Sequence, residues 1–194
     1  MPNVKLITER LIDEVVEGIR QSDSIYILTS FLMRSGVQLL APFLKEALER
    51  GAEVKVCAGN YLFVTHPDAL ENLLHIHDSI EVRLFKSNGK SFHPKAYLFG
   101  GEKGDNFFIV GSSNLSRSAL TTGVEWNISL KEEFEPATYA EALDQFSKIF
   151  EHELTLFSYA LTNIPVPLAS WNTTPFSHRS KDFVSCFAHT KLSH

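Results

Sequence analysis

The sequence predicts an α/β fold: a mixed, mostly parallel β-sheet flanked by helices on both faces. Three observations predict it. Helical and strand-like apolar patterns alternate between residues 6 and 85. The strand-like runs are short and rich in apolar residues, as strands covered on both faces are. Beyond residue 90 the rhythm changes to strand-like runs joined by a turn-rich segment, which adds antiparallel partners.

The elements follow in order. Leu6 to Gln21 places Leu6, Ile7, Leu11, Ile12, Val15, Val16 and Ile19 at spacings of three and four, which predicts an amphipathic helix. Asp23 and Ser24 punctuate the chain before Ile25 to Leu28, a β-branched and aromatic run that predicts a buried strand. Val37 to Arg50 is helical, Gly51 stops it, and Glu53 to Ala58 is the next strand. A helix from Pro67 to His77 precedes the strand Ile80 to Phe85. Strands separated by helices imply right-handed crossovers.

Pro94 to Phe99 and Asn106 to Val110 are joined by GGEKGDN, which suits a hairpin. Val124 to Leu130 predicts a third strand, and Pro136 to Glu151 an amphipathic helix with proline in its first turn. After Leu161 the chain carries Pro165, Pro167 and Pro175 with no sustained period. We therefore expect one folded domain over residues 1–160 and an extended tail, or the stump of a longer parent, over 161–194.

Composition bounds the function. The 194 residues leave room for one domain of about 150 residues plus a tail. With 44% apolar and 21% charged residues the chain is globular in composition, not fibrous or disordered. No apolar run reaches the ~18 residues that cross a bilayer. Lys5, Glu9, Arg10, Asp13 and Glu14 stand where a signal peptide has its apolar core, so a cytoplasmic protein is expected. Cys57 and Cys186 have no metal-ligand spacing, and Cys57 lies in an apolar run that predicts a buried, reduced thiol. At a net charge of −5, nucleic-acid binding would rest on a local cluster of Lys and Arg.

The chemistry concentrates between Ser91 and Leu130. His93 and Lys95 are two apart, so on an extended strand they share a face about 7 Å from each other. Ser112 and Asn114 share a face by the same period and offer hydrogen bonds to phosphoryl oxygens. Gly111 before them lets backbone or ligand approach closely. Leu115 is expected to start a short helix whose first amides favour an anion. Glu125, expected to open a strand beside Trp126, could hold one ring nitrogen of His93. Ser113, Arg117 and Lys90 are candidate substrate contacts, and with Arg83 and Lys86 the cations could form a basic rim.

Each of these has a plainer reading. A His and a Lys two residues apart are common on surfaces, Ser112 to Asn114 can be a turn or a cap, and Glu125 a solvated charge. His75 and His77, two apart on an expected helix, face different directions, so with His66 they read as surface or capping histidines rather than metal ligands. Phe31, Leu32 and Met33 leave the first strand where α/β ligands sit, and core or dimer contact is the reading adopted.

Taken together, H-x-K at His93 and Lys95, GSSN at Gly111 to Asn114, and Glu125 eleven residues after Asn114 resemble the signature of the phospholipase D superfamily. The resemblance implies a phospholipase D-like fold and phosphodiesterase chemistry. In it His93 is the nucleophile that forms a phosphohistidine, Lys95, Ser112 and Asn114 bind the phosphate, and Glu125 orients a histidine. It implies neither metal nor cofactor. The chain departs from the pattern at Gly100, where the family usually has Asp, and Asp105 follows only after a longer turn. That departure resembles the nuclease branch, which includes restriction endonucleases and domains attached to helicases.

One motif supplies one histidine, while the mechanism needs a second as general acid, so the resemblance implies a homodimer. The expected function is thus a metal-independent nuclease, acting on DNA ahead of RNA, with a helicase or restriction protein as a further partner and no membrane. A phospholipase or phosphatidyltransferase is the alternative enzyme. A non-catalytic nucleic-acid-binding module is the third reading.

Overall fold

The computed structural model describes residues 2–60, 64–88, 90–102 and 106–157. The elements in chain order are β1 (Val4–Ile7), α1 (Leu11–Gln21), β2 (Ser24–Thr29), α2 (Arg34–Glu49), β3 (Glu53–Gly59), α3 (Pro67–Leu74) and β4 (Glu81–Phe85). They continue with β5 (Lys95–Gly100), β6 (Phe107–Gly111), α4 (Arg117–Thr121), β7 (Asn127–Lys131), α5 (Pro136–Phe150) and β8 (Thr155–Phe157). The strands form one sheet of eight in the order β1-β7-β6-β5-β2-β3-β4-β8.

The α/β class is as expected, but parallel pairing is the smaller share. Only β2 with β3 and β3 with β4 run parallel, because the crossover helices α2 and α3 link only those strands. From β5 onward the chain returns antiparallel, through β5 with β2, β6 with β5 and β7 with β6, and β1 and β8 add antiparallel edges.

Helices cover both faces and give two cores. On one side, Leu11, Val15 and Ile19 of α1 and Val37, Leu40 and Leu44 of α2 pack over Ile25, Ile27, Val54 and Val56. On the other, Tyr139, Phe146 and Phe150 of α5 cover Leu28, Cys57, Leu98 and Phe108. Alternate residues of each strand thus enter different cores, which is why Ile25 to Leu28 of β2 and Phe107 to Val110 of β6 read as apolar runs. Cys57 is the buried, unpaired thiol expected of it, and burial pushes its pKa up to about 12. Cys186 and the tail expected over 161–194 lie outside the described residues.

Some boundaries differ from expectation. Leu6 and Ile7 belong to β1, not to the first helix: they pair with Ile128 and Asn127, and Ile7 points inward while Leu6 is exposed. Arg10, in the left-handed conformation at φ 47, separates β1 from α1. The third helix stops at Leu74 with His75 as its cap, short of His77. Strand β7 begins at Asn127, so Val124, Glu125 and Trp126 precede it. Among the described residues no helix is long and apolar enough to cross a membrane.

Candidate active site

The pairings bring the chemically active stretches to one end of the sheet. Thr29 at the end of β2 stands opposite Lys95 at the start of β5, and Gly111 at the end of β6 stands opposite Asn127 at the start of β7. The C-terminal ends of β2, β3 and β4 finish at this same end, where ligands of α/β sheets bind.

His93 is placed by its neighbours on either side. Phe92 before it is buried, stacks on Phe85 with ring centroids 4.5 Å apart, and lies so close to Gly59 that a Cβ there would sit 2.4 Å from its ring. Lys95 after it donates from Nζ to Ser30 Oγ and to the His93 carbonyl, both at 2.7 Å. Between these anchors His93 is exposed. The expectation that His93 and Lys95 share a strand is corrected: β5 starts only at Lys95, and His93 lies on the segment entering it.

Lys95 is half-buried, and desolvation holds its ammonium below the usual lysine range, while the charge of Glu125 works in the opposite direction. Ser30, at 2% exposure, is thus a buried hydroxyl that fixes where the ammonium sits.

Asn114 is drawn back onto β2. Its Oδ1 accepts from Phe31 N at 3.3 Å and lies 3.2 Å from Thr29 Oγ1. The Phe31 amide can only donate, so the oxygen of the carboxamide must face it and Nδ2 must face away. Thr29 is fully buried; its Oγ1 accepts from Leu115 N at 3.1 Å and lies 2.8 Å from the Phe31 carbonyl. One threonine therefore ties the end of β2 to the loop after β6.

Ser112 donates to Glu125 Oε2 and accepts from Trp126 N at 3.0 Å, and its own amide donates to Trp126 O at 3.0 Å. In the structure the Glu125 carboxylate thus holds a serine hydroxyl. The close approach expected at Gly111 is by backbone: a Cβ there would come 2.3 Å from Trp126 O and 2.4 Å from Asn127 Oδ1.

Ser112 and Asn114 do not share a strand face, since β6 ends at Gly111 and the chain turns through Ser113. Ser113 itself is fully buried, accepting from Asn127 Nδ2 at 3.0 Å while its carbonyl accepts from Tyr97 OH at 3.1 Å. Its expected role as a substrate contact is therefore corrected to an internal one. The helix expected from Leu115 begins at Arg117 and runs only to Thr121, and two of its first amides already have partners: Ser116 Oγ accepts from Ala119 N at 3.2 Å and Ser35 Oγ from Arg117 N at 3.3 Å.

Of the basic rim, Lys86, Lys90 and Arg117 are exposed. Arg83 is not part of it. At 5% exposure it lies 3.9 Å from the Phe150 ring centroid and pairs with Glu151 at 2.8 Å, on the α5 side. Of the trio read as core or dimer contact, Leu32 is buried and bridges to Leu115, while Phe31 and Met33 are half-buried. His66 and His75 flank α3, and Ser79 N donates to His77 Nδ1 at 3.1 Å. Among the described residues no three His, Cys, Asp or Glu side chains gather to hold a metal ion.

A model of the cardiolipin synthase, PLD-like domain family matches residues 15–154. The chain belongs to the phospholipase D superfamily. Solved structures share this superfamily's fold. A phospholipase D family member, Nuc from Salmonella typhimurium, superposes with TM-score 0.61 at 18% identity, covering 81% of this chain and 98% of that one. NucT from Helicobacter pylori gives 0.58 at 18% identity, covering 76% and 95%. Phosphatidylserine synthase from Haemophilus influenzae gives 0.64 at 15% identity, covering 97% of this chain and 47% of that one. A search of curated proteins returns no match.

Within this phospholipase D-like frame, the residue at the family's Asp position explains itself. Gly100 lies at the far end of β5 from Lys95, opposite Ser24, and a Cβ on it would meet the Tyr139 hydroxyl at 2.6 Å. Tyr139 OH instead donates to the Phe99 carbonyl at 3.0 Å. Asp105 lies outside the described residues.

Sequence reasoning missed Thr29, Ser30, Tyr97 and Asn127. The first two had a signal: a hydroxyl pair directly after an apolar strand, at the strand end where α/β sites form. Tyr97 and Asn127 had none, since their partners are fixed only by register.

Proposed function

We propose that this chain is a metal-independent phosphodiesterase that cleaves nucleic-acid phosphodiesters through a phosphohistidine on His93, two copies forming one working centre. The observation that carries the reading is the convergence of the His93 segment, the Lys95 ammonium, the Asn114 carboxamide and the Ser112–Glu125 pair at one end of the sheet.

The chemistry follows from those groups. A neutral imidazole nitrogen of His93 attacks phosphorus in line, the P–N bond forms and the P–O bond to the leaving nucleoside breaks. A second, protonated imidazole, His93 of the other copy, gives its proton to that oxygen. It then takes a proton from water, whose oxygen attacks phosphorus and releases His93. Lys95 and Asn114 Nδ2 oppose the negative charge that builds on the phosphoryl oxygens. Glu125 keeps the Ser112 hydroxyl oriented and, across the pair of copies, is the carboxylate available to a histidine.

Nucleic acid is favoured over lipid by the exposed Lys86, Lys90 and Arg117, by the Gly100 departure, and by the likeness of the fold to an archaeal chromatin protein described as binding DNA, TM-score 0.53 at 14% identity. The lipid reading has its own support in the family's name and in the fold of the phosphatidylserine synthase. The resemblance to the nuclease branch adds a helicase or restriction protein as the further partner class.

Incubation with single- and double-stranded DNA, RNA and phospholipid vesicles in excess chelator tests the proposal. DNA cleavage by the wild type, reduced at least about a thousandfold in His93→Ala, is the expected result. Cleavage that appears only on adding a divalent ion contradicts it, and faster release of a lipid headgroup than of nucleotides would give the lipid reading first place.

A further inference from the structure

His93 sits on a stretch without regular structure: between Phe85 and Lys95 the described residues form neither helix nor strand. A nucleophile misplaced by about 1 Å can lose about a hundredfold in rate, so such a stretch needs anchors. The ends of β3 and β4 supply two. Asn60, directly after β3, donates from its amide to the Phe85 carbonyl at 3.1 Å and accepts at Oδ1 from Ser87 N at 2.9 Å, which holds the start of the stretch. The second anchor is the ring of Phe92, one residue before His93.

That ring occupies a slot built by two residues that face each other across the parallel β3–β4 pair. Gly59 and Phe85 are Cα partners there, so both present the α5 side of the sheet, where Phe92 and Cys57 are buried. Phe85 supplies a ring, stacked on that of Phe92 with centroids 4.5 Å and planes 15° apart. Gly59 supplies room: a Cβ on it would lie 2.4 Å from an edge carbon of the Phe92 ring and 2.9 Å from the Ser30 carbonyl. His152, just past α5, tilts against Phe85 with centroids 5.7 Å apart. Phe92 is 7% exposed and His93 exposed, so the chain passes from core to solvent within one residue. Pro94 then confines the His93 backbone to extended conformations, and Lys95 Nζ donates to the His93 carbonyl at 2.7 Å. Between a clamped ring and a rigid proline, the imidazole keeps little freedom beyond its own side-chain torsions.

We infer that Gly59 and Phe85 are positioning residues: by clamping the Phe92 ring they set where the His93 imidazole stands, and through it the rate of attack on phosphorus. The role in turnover rests on the phosphodiesterase reading, whereas the clamp itself does not. A device that aims the nucleophile acts on the bond-making step and not on phosphate binding by Lys95 and Asn114, so its loss lowers kcat and spares KM. A ring that merely filled the core would lower stability alone.

The test compares Phe85→Leu and Phe92→Leu, each removing one ring of the stack, with Phe85→Tyr, which keeps it. Phe146→Leu is the control, since it removes a ring stacked on Tyr26 at 5.0 Å elsewhere in the same core. Cleavage of a DNA oligonucleotide is followed in excess chelator on the full chain. The order parameter of the His93 amide is measured by NMR on protein labelled with 15N-histidine, without substrate, the signal being assigned by its disappearance in His93→Ala. The wild type is expected near the ~0.85 of rigid backbone and both leucine variants at the stack below about 0.6. Those two should lose about 10- to 100-fold in kcat with KM changed less than about threefold. Phe85→Tyr should stay near the wild type in both quantities, and Phe146→Leu should lower only the melting temperature.

A His93 amide already loose in the wild type, or one that stays rigid in both Phe85→Leu and Phe92→Leu, overturns the clamp. So does a fall in kcat that Phe146→Leu reproduces at an equal loss of melting temperature, or a Phe85→Tyr as impaired as Phe85→Leu. Because order is read without turnover, a wild type that cleaves nothing while its His93 loosens in Phe85→Leu refutes the phosphodiesterase reading alone. A wild type that cleaves, with kcat untouched in both variants, refutes the positioning role alone.

Discussion

Lys95 carries a charge into a place that partly excludes water, and its ionisation is the most direct readout of the site. Burial holds its pKa below the ordinary 10.5 and Glu125 pulls it back up. Phosphate binding needs the ammonium, so activity is present below the Lys95 pKa and lost as pH rises through it, an alkaline limb that begins below 10.5. Replacing Glu125 by Gln removes the charge that raises this pKa. The limb of kcat/KM then moves to lower pH; a limb that stays or rises separates Glu125 from Lys95. Thr29→Val and Ser30→Ala probe the two buried hydroxyls. Each should lower kcat about 10- to 100-fold with KM little changed, and Thr29→Ser should recover most of the loss, because the hydroxyl is restored where it bonds Leu115 N. Equal losses in Thr29→Ser and Thr29→Val would mean that packing, not the hydrogen bond, is what the site needs.

Among the elements, two glycines set what the hairpin strands can tolerate. An alanine at Gly111 puts a methyl group 2.3 Å from Trp126 O, so β7 must move away and take Glu125 with it. Gly111→Ala should cost about 1–3 kcal/mol in chemical denaturation and more in activity than in stability. Gly100→Asp, which restores the family residue, collides with the Tyr139 hydroxyl and should lower the melting temperature, and by less in a Tyr139→Phe background, which removes only that hydroxyl and keeps the ring in the core. The elements with strong periodicity were legible: α2, α5 and strands β2 to β6 lie close to where the apolar spacing put them. Leu6 and Ile7 were not, because two adjacent apolar residues fit the end of a helical stripe and an edge strand equally well. Arg10 in its left-handed conformation gives no warning in the sequence. The short β8 was invisible for a similar reason: three residues carry no period.

At the scale of the whole molecule, the motif could be read from the sequence and the surroundings of its residues could not. The resemblance to the phospholipase D signature marked His93, Lys95, Ser112, Asn114 and Glu125, whereas Ser113 looked like its neighbours and proved internal, since only the turn after β6 decides which serine faces water. The alignment of Leu6, Ile128 and Val110 across β1, β7 and β6 was hidden because these residues are far apart in the chain and meet only through strand order. The acidic balance adds a prediction. Binding of nucleic acid should rest on few phosphate contacts, so the logarithm of affinity should fall with the logarithm of salt with a slope of only about −2 to −4. A slope near that of strongly basic DNA-binding proteins, about −10, would call for a cationic surface these residues do not provide.

The measurement that bears most directly on the account is the capture of the covalent intermediate. Wild-type chain is quenched in denaturant during turnover of a labelled oligonucleotide in excess chelator, digested at alkaline pH, and the adduct located by mass spectrometry. The account predicts a nucleotide on the peptide containing His93, stable to base, lost on mild acid treatment and absent from His93→Ala. Turnover without any adduct, or an adduct that forms equally in His93→Ala, would contradict it.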